Sequence, residues 1–450
     1  MRARIRPHTF SGTVRIPASK SHTIRQLLIA SLAGGHAGGT SEIIAPLDSL
    51  DTRSCADACR AFGAIVTEHY ADDKLVSYTV TGNNGFGVRS RFSGVVDVGN
   101  SGTTLYLALA AAGLGNEPFE FTGDEQIQRR SAVPLLEALR SLGIRAESVN
   151  DNGCAPIIVQ GPWKGGKATL PCPTSQYLSA ILLAAPLAPA GVVTEIAVPL
   201  LNERPYIEMT LSYLDAQGIL WEAETDFSRF VIPGGASWKP FSRSVPGDFS
   251  SAAFPACAAA ISGAPVTILG LDPNDLQGDK FFLEMLAAMG CTALWEQIPE
   301  TAAGMSAEYR LTVSRSGPLR GGSFDLNATP DLLPAAAVTA AFAEGDTALV
   351  NVAHARIKET DRITVMAAEL AKLGVRCTEL PDGLIVHGAG RTTGMAAVSG
   401  GLINGHGDHR IVMAFAAAAL SAQAPIVIEG AESAAVTYPG FLELLQAEYL

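Results

Sequence analysis

No C-x-x-C pair occurs in this sequence, and its seven cysteines, at 55, 59, 154, 172, 257, 291 and 377, are odd in number, so neither a disulfide framework nor a zinc site is indicated. Cys55 and Cys59 would share a helix face, but no second ligand pair follows them, and all seven are expected to pack as small buried hydrophobes. No metal is expected. A basic surface is also missing. The 450 residues carry 32 Lys and Arg against 44 Asp and Glu, a formal charge of −12, and aromatics make up only 7%. With neither a positive footprint nor stacking platforms, DNA and RNA are not expected as partners. No apolar run approaches a membrane span. The opening Met-Arg-Ala-Arg-Ile-Arg-Pro-His has no apolar signal core, so a cytoplasmic protein without a membrane partner is expected. Hydrophobic residues at 48% against 17% charged make disorder a poor description, and the length allows two or three domains.

What the chain does have is local clusters of cations. Lys20-Ser21-His22-Thr23-Ile24-Arg25, Lys358-Glu359-Thr360-Asp361-Arg362 and Asp408-His409-Arg410 each put cations beside hydroxyls or carboxylates at an expected helix start. There, free backbone N–H groups and the helix dipole already favour an anion. Helix capping alone would not require lysine or arginine at these positions. Three such places in one chain point to a crowded polyanionic ligand.

The helices form a hidden repeat. Apolar helical spacing that ends in Gly recurs from Ala56 to Gly63, Leu135 to Gly143, Ile207 to Gly218, Phe282 to Gly290 and Val365 to Gly374. Phe441-Leu-Glu-Leu-Leu-Gln echoes Phe282-Leu-Glu-Met-Leu-Ala and makes a sixth unit. The period of about 80 residues is too long for a solenoid, so each unit is a supersecondary module. A second, Ala-rich helix starts once per unit, near Ser19, Ser101, Thr174, Asp248, Asp331 and Asp408, and is apolar all round, which predicts burial. Short β-branched runs such as Tyr78-Thr-Val-Thr, Pro156-Ile-Ile-Val and Leu384-Ile-Val lie between the helices and read as strands. The class is α/β with six repeated modules.

Seven motifs in register carry a resemblance over essentially the whole chain: Pro17-Ala-Ser-Lys-Ser, Gly99-Asn-Ser-Gly-Thr-Thr, Thr174-Ser-Gln, Pro246-Gly-Asp-Phe-Ser-Ser, Pro330-Asp, Lys358-Glu-Thr-Asp-Arg and Gly407-Asp-His-Arg. Together they resemble the 5-enolpyruvylshikimate-3-phosphate synthases, of the enolpyruvyl transferase family. The resemblance implies a two-domain inside-out α/β barrel with three modules per domain. Residues 1–20 with 246–450 would form the C-terminal-type domain and 21–245 the N-terminal-type domain, with the active site in the cleft between them. It also implies transfer of the enolpyruvyl group of phosphoenolpyruvate to the 5-hydroxyl of shikimate 3-phosphate, with no cofactor, in a monomer that is a target of glyphosate.

The chemistry needs an acid and a base about one carbon centre and a reversal of both transfers. Asp331, Glu359 and Lys20 are the implied catalytic groups, with Asp331 expected to take the hydroxyl proton. Carried over residue by residue, the resemblance implies that Lys20, Ser21, Arg25, Thr174, Ser175, Gln176, Asp331, His354 and Lys358 bind shikimate 3-phosphate. Lys20, Asn100, Gly102, Arg130, Gln176, Arg362 and Arg410 would bind phosphoenolpyruvate. Guanidiniums suit this task because they match carboxylate and phosphate oxygens bidentately. Three positions depart from the family pattern: Tyr106 stands where many members have arginine, Val436 where one branch of the family has a lysine that another branch also lacks, and Glu203 where a phosphate-binding serine is common. An acidic side chain there would repel a phosphate. The related transferase acting on UDP-N-acetylglucosamine usually has a reactive cysteine in the loop that here reads Thr122-Gly-Asp-Glu-Gln-Ile-Gln-Arg-Arg, which contains none. Glu203 and Tyr106 alter the pocket and leave enolpyruvyl transfer to another acceptor as an alternative, whereas the presence of Lys20, Asp331 and Glu359 speaks against a non-catalytic phosphate-binding paralogue.

Overall fold

Whether a helix of this chain is apolar all round or on one face only decides where it lies. The computed structural model describes residues 1–34, 39–83, 94–298, 308–389 and 398–450. In chain order the helices of the described residues are α1 (Lys20–Leu32), α2 (Leu50–Ala61), α3 (Gly102–Ala112), α4 (Val133–Ser141), α5 (Gln176–Ala184), α6 (Arg204–Gln217), α7 (Phe249–Ser262), α8 (Phe282–Ala288), α9 (Leu333–Ala341), α10 (Arg362–Lys372), α11 (His409–Ala419) and α12 (Phe441–Leu444). The odd-numbered helices form the interior, and α3, α7, α9 and α11 among them are Ala-rich. In α9 and α11 every residue is buried, and in α1 every residue from His22 onward. Alanine lets such helices approach one another closely. The even-numbered helices bury one stripe only, as α2 does through Cys55, Ala56, Ala58 and Cys59. Just past five of them, Gly63, Gly143, Gly218, Gly290 and Gly374 all adopt positive φ, the left-handed conformation that closes a helix most easily when no Cβ is present.

The described strands form six four-stranded sheets of one design. In the second module Gly94–Asp97 runs parallel to Phe119–Thr122, across the inner helix α3. Phe119–Thr122 pairs antiparallel with Ile157–Gln160, which pairs antiparallel with Arg145–Ser148. Ile157–Gln160 alternates buried and half-buried residues, as a sheet with one face on a core requires. The module is therefore β-α-β-α-β-β.

Two compact units result, one of Met1–Pro17 with Pro246–Leu450 and one of Ala18–Val245, each with its own apolar core. The chain's own ends complete the first unit. Arg2–Ile5 pairs antiparallel with Ile426–Glu429, and Gly12–Arg15 pairs parallel with Val266–Leu269. In the second unit, Ser242–Ser244 returns to pair parallel with Thr40–Ile44 and supplies the strand that the first module lacks. The first crossing falls between Pro17 and Ala18, slightly before the boundary expected at residue 20, because Ser19 and Lys20 already belong to the start of α1.

Candidate active site

In the unit formed by Met1–Pro17 and Pro246–Leu450, three helix starts bring charge together. Asp331 lies in the short turn Pro330–Leu332 ahead of α9, Arg362 is the first residue of α10, and Asp408 caps α11 by accepting from the Arg410 N–H at 2.9 Å. Arg362 is wholly buried. Its Nη1 donates to Asp331 Oδ1 at 2.7 Å, its Nη2 to Glu359 Oε2 at 2.6 Å and its Nε to Asp408 Oδ2 at 2.7 Å. Arg410 Nη2 reaches the other Asp331 oxygen at 2.8 Å. Two guanidiniums thus face three carboxylates, so the cations are already compensated by the protein. The Nε of Arg410 is buried and has no hydrogen-bond partner among the described residues, a donor that an anion can take up.

The protonation states follow from this packing. Burial alone would raise the Asp331 carboxyl, but Arg410, Arg362 and Lys358 outweigh it and hold Asp331 well below the usual carboxylate range. Burial likewise works against the charge on Arg362, yet Asp408, Glu359 and Asp331 raise its pKa above the ordinary arginine value. His354 is buried with Nε2 3.1 Å from the Asn327 carbonyl oxygen, and Lys358 follows the turn Ala353–Ile357. Val436 ends the separate turn Ala431–Val436.

The Ala18–Val245 unit has a second cluster, at the starts of α1, α3 and α5. Lys20 Nζ donates at 3.0 Å to Oδ2 of Asp51, in the first turn of α2. Arg25 is buried and makes no ion pair at hydrogen-bond distance among the described residues. Its Nε donates to Thr210 Oγ1 at 2.9 Å, its Nη1 to the Ser21 carbonyl at 3.1 Å and its Nη2 to Ser179 Oγ at 3.2 Å. Burial pulls its guanidinium down to about 10, against the weaker pull of Tyr213, Tyr206 and Glu203. Gly102, the first residue of α3, lies directly against Arg130: a Cβ built on it would sit 2.5 Å from Arg130 Nη1. Asp124 ties this corner together. It accepts from Asn100 Nδ2 at 2.6 Å and from the Gln126 and Ile127 N–H groups at 2.9 and 3.0 Å.

The departures have defined places. Tyr106 stacks edge-on against Tyr177, with centroids 5.0 Å apart, and both phenols donate to the Ser131 carbonyl, at 3.2 and 2.6 Å. It therefore supports the chain beside Arg130. Glu203 is buried, with a left-handed backbone at φ 57°, and its carboxylate does not cap its own helix. Oε2 instead accepts from Thr174 Oγ1 at 3.1 Å, the Ser175 N–H at 2.9 Å and Ser175 Oγ at 2.7 Å. Thr174 and Ser175, expected to hold a phosphate, thus hold a carboxylate of the same chain. The next residue, Gln176, has a buried Oε1 without a partner among the described residues.

The structure brings Asp331, Glu359, Arg362 and Arg410 into one cluster, and groups Ser21, Arg25, Thr174 and Ser175 around α1 and α5. The packing adds two partners that the motifs do not name as ligands: Asp408, the wholly buried counter-charge of Arg362, and Asp51, that of Lys20. Asp408 was visible as a cap beside Arg410, but its pairing with a residue 46 positions away was not.

Comparison with known proteins agrees along the whole chain. A family model described as EPSP synthase (3-phosphoshikimate 1-carboxyvinyltransferase) matches residues 6–445. The 3-phosphoshikimate 1-carboxyvinyltransferase of Acetivibrio thermocellus is 44% identical, over 99% of this chain and 97% of that protein. That of Halorubrum lacusprofundi is 39% identical, over 97% and 95%. A solved EPSP synthase from Acinetobacter baumannii superposes with a TM-score of 0.78 at 29% identity, covering 99% of this chain and 97% of that one.

Proposed function

We infer, from the premise that this chain belongs to the EPSP synthase (3-phosphoshikimate 1-carboxyvinyltransferase) family, that it transfers the enolpyruvyl group of phosphoenolpyruvate to the 5-hydroxyl of shikimate 3-phosphate. The observation that carries the reading in the structure is the cluster in which the half-buried Asp331 and Glu359 meet the buried Arg362, Asp408 and Arg410. It sets carboxylates able to move protons against guanidiniums that match phosphate and carboxylate oxygens.

The acceptor oxygen adds to C2 of phosphoenolpyruvate while a proton is delivered to C3, giving a tetrahedral intermediate. Elimination then removes a proton from C3, breaks the C2–O bond to phosphate and restores the double bond. In this reading Asp331 takes the hydroxyl proton, Glu359 and Lys20 serve the transfers at C3, and Arg130, Arg362 and Arg410 hold phosphoenolpyruvate beside Asn100, Gly102 and Gln176. Ser21, Arg25, Thr174, Ser175, His354 and Lys358 face the acceptor. An anion that draws Arg362 and Arg410 toward itself loosens their hold on Asp331 and raises its proton affinity, so substrate arrival itself would prepare the base. The same reading takes the protein as a cytoplasmic monomer that acts on small molecules and uses no nucleic acid.

Phosphate release from phosphoenolpyruvate, measured with shikimate 3-phosphate, with UDP-N-acetylglucosamine and without acceptor, tests the assignment. Release with shikimate 3-phosphate alone is expected, and release only with the nucleotide sugar would refute it. A second test concerns Gly102. A methyl at this position must displace the Arg130 guanidinium, because 2.5 Å is below any real Cβ contact. Gly102→Ala is therefore expected to raise the inhibition constant of glyphosate by about tenfold more than the Michaelis constant for phosphoenolpyruvate, the equivalent of ~1.4 kcal/mol of discrimination. Equal changes in both constants would remove Gly102 from the inhibitor's contact surface.

A further inference from the structure

The start of α5 is an anion seat that is already filled. Thr174 Oγ1, the Ser175 N–H and Ser175 Oγ all donate to one oxygen of Glu203, at 3.1, 2.9 and 2.7 Å. Hydroxyls and a free N–H at a helix start are the donors that a phosphate would use. Here they are engaged by a carboxylate that is only 3% exposed. Two anions cannot take the same three donors at once. A phosphate brought up against a buried carboxylate would also meet strong repulsion, since little water is present to screen it. Glu203 projects from a left-handed backbone, φ 57° and ψ 41°, ahead of α6, a conformation uncommon for a residue with a Cβ.

We propose that Glu203 is a specificity-determining residue: its carboxylate is an internal ligand of the α5 start, holding the seat in the free enzyme and giving it up when the acceptor's phosphate enters. The proposal rests on the functional reading above, in which Thr174 and Ser175 face the acceptor phosphate. Glu203 thereby weakens acceptor binding through Thr174 and Ser175, while its neighbour on the phosphoenolpyruvate side is Gln176, the next residue of the same helix start. The weakening applies to phosphorylated acceptors. Unphosphorylated shikimate brings no second anion to the seat and has no need to displace the carboxylate.

Calorimetric titration of the full-length protein with shikimate 3-phosphate and with shikimate, combined with steady-state kinetics, tests this on Glu203→Ser and Glu203→Gln. Glu203→Ser is expected to tighten shikimate 3-phosphate binding by about tenfold or more, since the seat is emptied and the charge is gone. Glu203→Gln keeps the shape and part of the hydrogen bonding but removes the charge, so a smaller tightening of about threefold is expected. Shikimate affinity should stay within about twofold in both variants, and the Michaelis constant for phosphoenolpyruvate should change by less than the affinity for shikimate 3-phosphate, a split that a general loss of packing would not produce. Unchanged or weaker binding of shikimate 3-phosphate in both variants would overturn the proposal, and if Glu203→Ser fails to fold, Glu203→Gln decides alone. Turnover of shikimate 3-phosphate by the wild type with no shift in either variant sinks this inference only. Absence of binding and of turnover in all three proteins sinks the functional reading with it.

Discussion

Arg362→Met is expected to abolish measurable turnover and to lower the thermal midpoint of the unit that contains it by on the order of 10 °C. The guanidinium of Arg362 is wholly buried and joins Asp331, Glu359 and Asp408, the last of which is equally inaccessible. Removing one member of a buried ion pair costs about 3–5 kcal/mol, because the abandoned charge stays out of water. In domains of about 150–250 residues each kcal/mol shifts the midpoint by about 2–4 °C. The kinetic loss is expected to be larger still, on the order of 10³-fold or more in kcat/KM for phosphoenolpyruvate. Both a substrate-binding cation and the alignment of two proposed acid–base groups go with it. Arg362→Lys should recover part of the stability but little of the activity, since one ammonium cannot satisfy three carboxylates in a fork geometry. Circular-dichroism melts and phosphate-release assays on both variants check this, and a methionine variant that melts like wild type would mean that the cluster relaxes by taking up water or protons.

Asp331→Asn is expected to slow turnover by about 10²-fold or more, the usual scale for a lost acid or base, without weakening phosphoenolpyruvate binding. The sign of the binding effect comes from the geometry. Asp331 neutralises both Arg362 and Arg410, at 2.7 and 2.8 Å, so an uncharged amide leaves those guanidiniums freer to meet an incoming anion. A fluorescence titration should show equal or tighter binding of phosphoenolpyruvate alongside the loss in kcat. Near-wild-type turnover would remove Asp331 from the proton transfers. Stability should respond to pH in a defined direction. Burial disfavours the charged Asp331, but Arg410, Arg362 and Lys358 outweigh it and depress its pKa. A carboxyl depressed in this way contributes stability that is complete above its unfolded value of about 4 and lost as pH falls through the folded value. The gap between wild type and Asp331→Asn in denaturant unfolding should therefore be constant from about pH 5 upward and shrink only in stronger acid.

The inner helices could be read from the chain because their apolar character leaves no alternative to burial. Leu333–Ala341 has no polar face that could meet water, and every residue in it is indeed buried. The outer helices and their terminating glycines were legible for a similar local reason, since Gly218 and its counterparts close helices in a conformation that side chains disfavour. The strand that completes each unit is a different matter. Ser242–Ser244 is three residues long and fully exposed, and nothing in it announces pairing with Thr40–Ile44 some 200 positions earlier.

Residue types at the site were equally local information. Lysine, arginine, aspartate and hydroxyls at helix starts identify an anion-handling protein wherever the helices go, because a helix start presents unsatisfied N–H groups by its own geometry. Which charge meets which is set only by packing. The partnership of Arg362 with Asp408, of Lys20 with Asp51 and of Glu203 with Thr174 and Ser175 depends on where separate modules place their helix ends. In sequence Glu203 could only be judged a charge unsuited to a phosphate. Folding turned that misfit into an occupant of the seat, because a carboxylate buried at that depth must find donors and those of α5 lie within reach. Helix identity, module order and the kinds of charge therefore came from short-range sequence, where each residue's preference depends on its neighbours. The closing strands, the counter-charges and the filled seat came from contacts made over long separations, which only the packed structure decides.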